Sequence, residues 1–132
     1  MDLNKLHAQF SQPTFEVSKL HMHTNPNLAS EFHHRLITWI NDFHKSLDEE
    51  HEVGARLVNF GLSVTFHIED ISYWNPSLIS FIGKNESSEP VELLQHVSQI
   101  SILLVAMKRD NTDHPKRPIG FSSWEEYEMQ KT

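Results

Sequence analysis

The sequence predicts an α+β fold in the order α-β-β-β-β-α: a four-stranded antiparallel sheet flanked by two main helices, with a short C-terminal helix. Two observations predict it. Apolar stripes of helical period stand at both ends of the central region, and the stretches between them alternate or break at turn residues with no βαβ pattern. Composition agrees: of 132 residues, 38% are hydrophobic and 22% charged, which suits a single soluble domain with one core.

The first helix is expected over 26–47. Asn25-Pro26 supplies a cap and a first-turn proline, and Leu28, Phe32, Leu36, Trp39, Ile40, Phe43 and Leu47 follow at the spacing of one buried face. Strands are expected at 53–60, at 62–71, where Leu62, Val64, Phe66 and Ile68 alternate with polar residues, at 78–82 and at 91–95. Asn75-Pro76 breaks the second strand, and the run from Gly83 to Pro90 reads as a hairpin loop. A second helix is expected over 96–109 from Val97, Ile100, Leu103, Leu104 and Met107. Ser122-Ser123-Trp124-Glu125-Glu126 resembles a capping box that opens the short terminal helix. Residues 1–25 then form an N-terminal arm, 26–121 the domain, and 122–132 a tail.

Eleven Lys and Arg against 18 Asp and Glu give a net charge of −7. That balance argues against a DNA coat or a membrane-surface binder. The chain has no cysteine, which removes disulfides, thiolate zinc sites and cysteine nucleophiles. No apolar run reaches the roughly 20 residues of a membrane span, and the start, MDLNKLHAQFSQ, lacks the features of a secretory signal. The expected location is a cytoplasm.

No nucleophile elbow, Walker loop or dinucleotide fingerprint occurs, and four glycines are too few for a glycine-built phosphate cradle. Among ten histidines the close pairs are His21/His23 and His33/His34. Neither has the i, i+4 spacing of a helical metal site, so the expectation is solvated histidine and no metal. His96, at the junction after the fourth strand, is either a satisfied junction residue or a ligand donor. The acidic run Asp48-Glu49-Glu50 and Glu52 reads as a solvated turn. Glu69-Asp70 is a carboxylate pair with nothing to orient a nucleophile or water beside it.

The most informative cluster is basic: Lys108, Arg109, Lys116 and Arg117. Arginine there suits bidentate phosphate contacts, or Lys108-Arg109 simply complements a helix C-terminus. Trp74 and Phe81 offer faces on which a base could stack, or they fill the core. Asn75, Gln95 and Gln99 could read a base edge.

The blocks LDEEHEV (47–53), NFGLSVTFHIEDISYWNPSLISFIG (59–83), ELLQHVSQISILL (92–104) and RPIGF (117–121) resemble a family of small bacterial and phage proteins that includes the first type of Thoeris anti-defence sponge. The resemblance covers about 26–121. It implies a phage protein that binds a cyclic or glycocyclic ADP-ribose immune signal without chemistry, hides it from its effector, and works as a homo-oligomer with pockets between protomers. It also implies a second site for cyclic di- or trinucleotides of the CBASS type. No cofactor is implied. Carried over residue by residue, Phe81 in the SFIG block and Arg117 in RPIGF lead, then Arg109, with Arg56 weaker. Trp74, Asn75, Gln95, His96, Gln99 and Asp70 complete the set. The arm before Asn25 and the eleven residues after Phe121 depart from the family pattern, as does Lys116 where an arginine pair is expected. Two alternatives remain open: an enzyme cleaving such a nucleotide with Glu69, Asp70 or His96, and a protein–protein inhibitor using its acidic surface.

Overall fold

A computed structural model describes residues 25–59 and 62–131. The expectations for the arm, including His21 and His23, lie outside them, apart from Asn25. The architecture is α+β: helix α1 (Ala29–Ser46) is followed by an antiparallel sheet and a short C-terminal helix, α2 (Trp124–Lys131). The strands are β1 (His51–Asn59), β2 (Leu62–Trp74), β3 (Leu78–Asn85), β4 (Pro90–His96) and β5 (Leu103–Lys108), in the order β4-β3-β2-β1-β5.

The fifth strand corrects the expected second helix. Val97–Gln99 forms one 3-10 turn, and Leu103–Lys108 pairs with β1 from Lys108 opposite His51 to Leu103 opposite Arg56. The physical reason is that Ile100–Met107 is a nearly continuous apolar run. Its spacing fits a helix and a strand equally, and β1 would be left with an unpaired edge without it.

α1 lies across one face of the sheet. Ile37 and Ile40 of α1 meet Val53 and Ala55 of β1, Ile68 and Ile71 of β2, and Ile79 and Phe81 of β3, all buried in one cluster. The buried stripe is rotated from the expected one: Trp39 is 74% exposed, while Asn41 and His44 are buried. The helix start also differs. Asn25 accepts from the Asn27 amide, before the helix begins, and Leu28 stands at the cap position without a side-chain cap. The first helical amides are met instead by the β2–β3 turn: Ala29 N–H donates to the Pro76 carbonyl at 2.8 Å and Ser30 N–H to Asn75 Oδ1 at 2.9 Å. On the other face of the sheet, Trp74, Leu78, Leu94 and Leu103 are exposed.

The expected capping box does open α2: Glu126 N–H donates to Ser123 Oγ, and Ser122 Oγ to the Glu126 carboxylate. α2 packs on α1 through Tyr127, whose side chain is fully buried and whose hydroxyl donates to the Thr38 carbonyl or to Asp42 Oδ1. Burial and the Asp42 carboxylate push that phenol well above its ordinary value.

Candidate functional site

Between β5 and α2 the chain runs back beside α1, and residues 114–121 of this segment form one wall of a cleft of about 490 Å³. Polar residues on the buried edge of α1 hold it there. Asn41 brackets Ile119, donating to its carbonyl at 3.0 Å and accepting from its amide at 2.6 Å. His44 accepts from the Val53 amide at Nδ1 (3.1 Å), and Nε2–H donates to the Arg117 carbonyl (3.0 Å). Lys116 Nζ donates to the carbonyls of His44 and Leu47 at 2.8 and 2.9 Å. Those carbonyls lie at the C-terminal end of α1, where carbonyls carry partial negative charge; that of His44 also accepts from the Leu47 amide. Trp124 Nε1–H donates to the Lys116 carbonyl at 2.9 Å. Gly120 completes the wall at φ +80°, a conformation that disfavours any side chain.

Burial dominates the ionisation of two of these groups. It pulls the His44 imidazole down to about 4, with the Lys116 and Arg109 charges acting the same way. It also lowers Lys116, and Arg109 adds to that while Glu49 opposes it.

The opposite side of the cleft is built by Glu52 of β1 and by Ile68, Glu69 and Asp70 of β2, with Arg109 at the end of β5. The β2–β3 register shifts between Ile68 and Asp70, and such a bulge re-aims side chains. Glu52 Oε2 accepts from His67 Nδ1 at 2.6 Å. Charge along the walls is balanced, with Arg109, Lys116 and Arg117 against Glu52, Glu69 and Asp70. The walls therefore present local hydrogen-bonding groups rather than a one-sign field.

The structure divides the residues expected to bind ligand into two groups. Arg109 and Arg117 both line the cleft. The Arg109 side chain is only 8% exposed and is largely committed: it donates to the Glu49 carbonyl at 2.7 Å and to the His114 carbonyl at 2.5 Å. It is a tie between two loops, and no helix precedes it to be capped. Arg109→Met is expected to cost about 2–3 kcal/mol, read as a lower urea midpoint, because two carbonyls lose a charged donor. Arg117 is the reverse. Its backbone is latched through His44, while its guanidinium has no hydrogen-bond or ion-pair partner among the described residues.

The second group lies at the far end of β2, β3 and β4, where Trp74 is in register with Leu78 and Leu78 with His96. Trp74 is 77% exposed and free to stack. Asn75 spends its carbonyl oxygen on α1. His96 is a junction residue: its Nδ1 accepts from the Ser98 amide and meets Ser98 Oγ. Gln95 donates to the Gln99 carbonyl at 3.3 Å, and its Oε1 is buried without a partner among the described residues. Arg56 belongs to neither group, since it donates across the β1–β2 ladder to Thr65 Oγ1.

Phe81 requires a correction. Its ring is 0% exposed, with Ile71 and Leu93 in register on either side, so no ligand reaches its face while the core is closed. Phe121, half-buried, is the aromatic residue that lines the cleft. His44, Asn41 and the Glu52–His67 pair were not anticipated. The signal for the first two was present, because Ile37, Ile40, Asn41 and His44 follow one helical stripe. No group of three metal-ligating side chains occurs among the described residues, and no helix among them is long and apolar enough to cross a membrane.

Neither a search of curated proteins nor one of solved structures gives a match. Residues 25–122, which include α1, the whole sheet and the wall of the cleft, match the model of a family of unknown function, DUF6173. The chain therefore belongs to the DUF6173 family.

Proposed function

We propose that this protein is a non-catalytic binder of a cyclic ADP-ribose-type nucleotide, sequestering an immune signal of anti-phage defence as a homo-oligomer in the cytoplasm. The observation that carries this reading is the Arg117 guanidinium, held by its backbone at the wall of a cleft of about 490 Å³ and left without a partner among the described residues. That volume lies within the range of small-molecule sites. Arginine is the side chain best matched to a pyrophosphate. Phe121 offers the ring that Phe81 cannot, and Trp74 offers a second, exposed ring that a neighbouring protomer could use. The resemblance of the sequence blocks to the sponge family names the ligand class.

The test is to incubate the protein with cyclic or glycocyclic ADP-ribose, filter, and heat-denature the retained fraction. Intact nucleotide should be released. Arg117→Ala should weaken binding by about 10- to 100-fold, the loss of one or two charge-assisted hydrogen bonds, with little change in melting temperature. No retention by the parent protein, or equal retention by the variant, refutes the proposal.

One observation favours a second reading. Glu69, Asp70 and His114 line the same cleft as the arginines, a set that could serve acid–base cleavage of a nucleotide. His96 is not part of it, because it stands at the other end of β3. Cleavage predicts many product molecules per protein; product that never exceeds one equivalent per site excludes it.

A further inference from the structure

We infer that residues 114–121 are a strap latched onto α1 through His44, and that acid releases the strap and opens the cleft while the sheet stays folded. The inference concerns the molecule whatever it binds, and it stands on how both ring nitrogens of one buried histidine are used. Nδ1 accepts a hydrogen bond from the Val53 amide, and Nε2–H donates one to the Arg117 carbonyl. Only the neutral ring with its hydrogen on Nε2 can do both. A second proton on Nδ1 would face the Val53 N–H, donor against donor, at 3.1 Å.

The surroundings oppose that proton from most sides. Burial, Lys116 of the strap and Arg109 at the end of β5 oppose it, while the Arg117 carbonyl and Glu49 in the turn after α1 favour it; Glu52 of β1 and the Arg117 guanidinium line the same cleft. α2 contributes the Trp124 ring, stacked on His44 at 5.8 Å, with Lys45 of α1 over that ring and paired to Glu128. The strap is also the part of this cluster that can leave. β1 is held independently, between β2 and β5.

The sign follows from the histidine. Its value is about 4 when latched against 6.5 when free, so the latched state binds fewer protons. The latch is fully favoured above about 6.5 and weakens as pH falls toward 4. If His44 regains its ordinary value on release, the opening constant rises about 50-fold between pH 7 and pH 4.5.

The test is hydrogen exchange of the full chain at a series of pH values from 7 to 4.5, corrected for intrinsic exchange, with far-ultraviolet circular dichroism alongside. The Ile119 and Phe121 amides, which donate to Asn41 Oδ1 and to the Pro118 carbonyl, should open progressively toward acid while those of β2 and β3 keep their protection and the dichroism is unchanged. His44→Gln, which can accept and donate in the same two directions without titrating, should abolish the pH response. An NMR titration of the His44 ring supplies a check that needs no variant: its midpoint should coincide with that of strap opening. The inference is overturned if strap and sheet amides open in one transition, if His44→Gln keeps the response, or if the two midpoints differ.

Discussion

Phe81→Ala is expected to lower unfolding stability by about 3–5 kcal/mol, the cost of emptying a fully packed aromatic position. The ring sits on β3, with β2 on one side and β4 on the other, and is 0% exposed. Ile79, Ile71 and Ile68 belong to the same closed cluster, which α1 covers with Ile37 and Ile40. Against the 5–15 kcal/mol that holds a typical domain together, the loss is a large fraction of the total. Urea denaturation measures it. The result also separates the two roles the sequence allows for this residue. A core ring predicts that Phe81→Leu, which keeps most of the volume, loses far less stability and binds nucleotide like the parent. A stacking ring differs in the second readout: Phe81→Leu stays stable but loses its ligand.

That separation shows where sequence reasoning stops. Alternation from Leu62 to Ile68 and the turn residues Asn75-Pro76 and Gly83–Pro90 located β2, β3 and β4, but the expected loop 83–90 is too long: Gly83–Asn85 continue β3 and Pro90 opens β4, so the turn is 86–89. The run Ile100–Met107 carried no such contrast. It forms an edge strand, with Leu104, Val105 and Met107 half-buried and Leu103 and Ala106 exposed, and its strand identity is set by pairing with β1, about 50 positions away. The same limit applies to the cleft. Clustering of Lys116 and Arg117 was visible, yet adjacent residues point in different directions along an extended strap. Lys116 turns inward to the carbonyls of His44 and Leu47 and Arg117 turns out. Only the folded chain shows which of two neighbouring cations is structural. Asn41 and His44 were not singled out in the sequence, although their place on the Ile37–Ile40 stripe marks them as buried and therefore as partnered.

Gly83→Ala is expected to be as damaging as many large core truncations, although it adds a single methyl group. A Cβ at this position would stand 1.6 Å from the His67 carbonyl oxygen and 2.8 Å from its carbonyl carbon. Both are backbone atoms of the paired strand, so no rotamer change relieves the clash. Gly83 is opposite Ile68 where the β2–β3 register shifts, and the two backbones approach closely there. Relief requires β2 to move away from β3, which breaks ladder hydrogen bonds and shifts the Ile68–Asp70 wall of the cleft. The expected cost is about 3 kcal/mol or more, at the upper end for overpacking, or roughly 10 °C in melting temperature for a chain of this size. Gly54→Ala is the matched control. Its Cβ would first meet the Met107 Sδ and Cγ, atoms of a flexible side chain, with the Phe66 carbonyl oxygen at 2.9 Å. Methionine can repack, so Gly54→Ala should melt above Gly83→Ala by several degrees. Equal melting temperatures would mean that the β2–β3 approach is not what demands glycine at position 83. In that case the SFIG block owes its glycine to something other than the bulge that shapes the cleft.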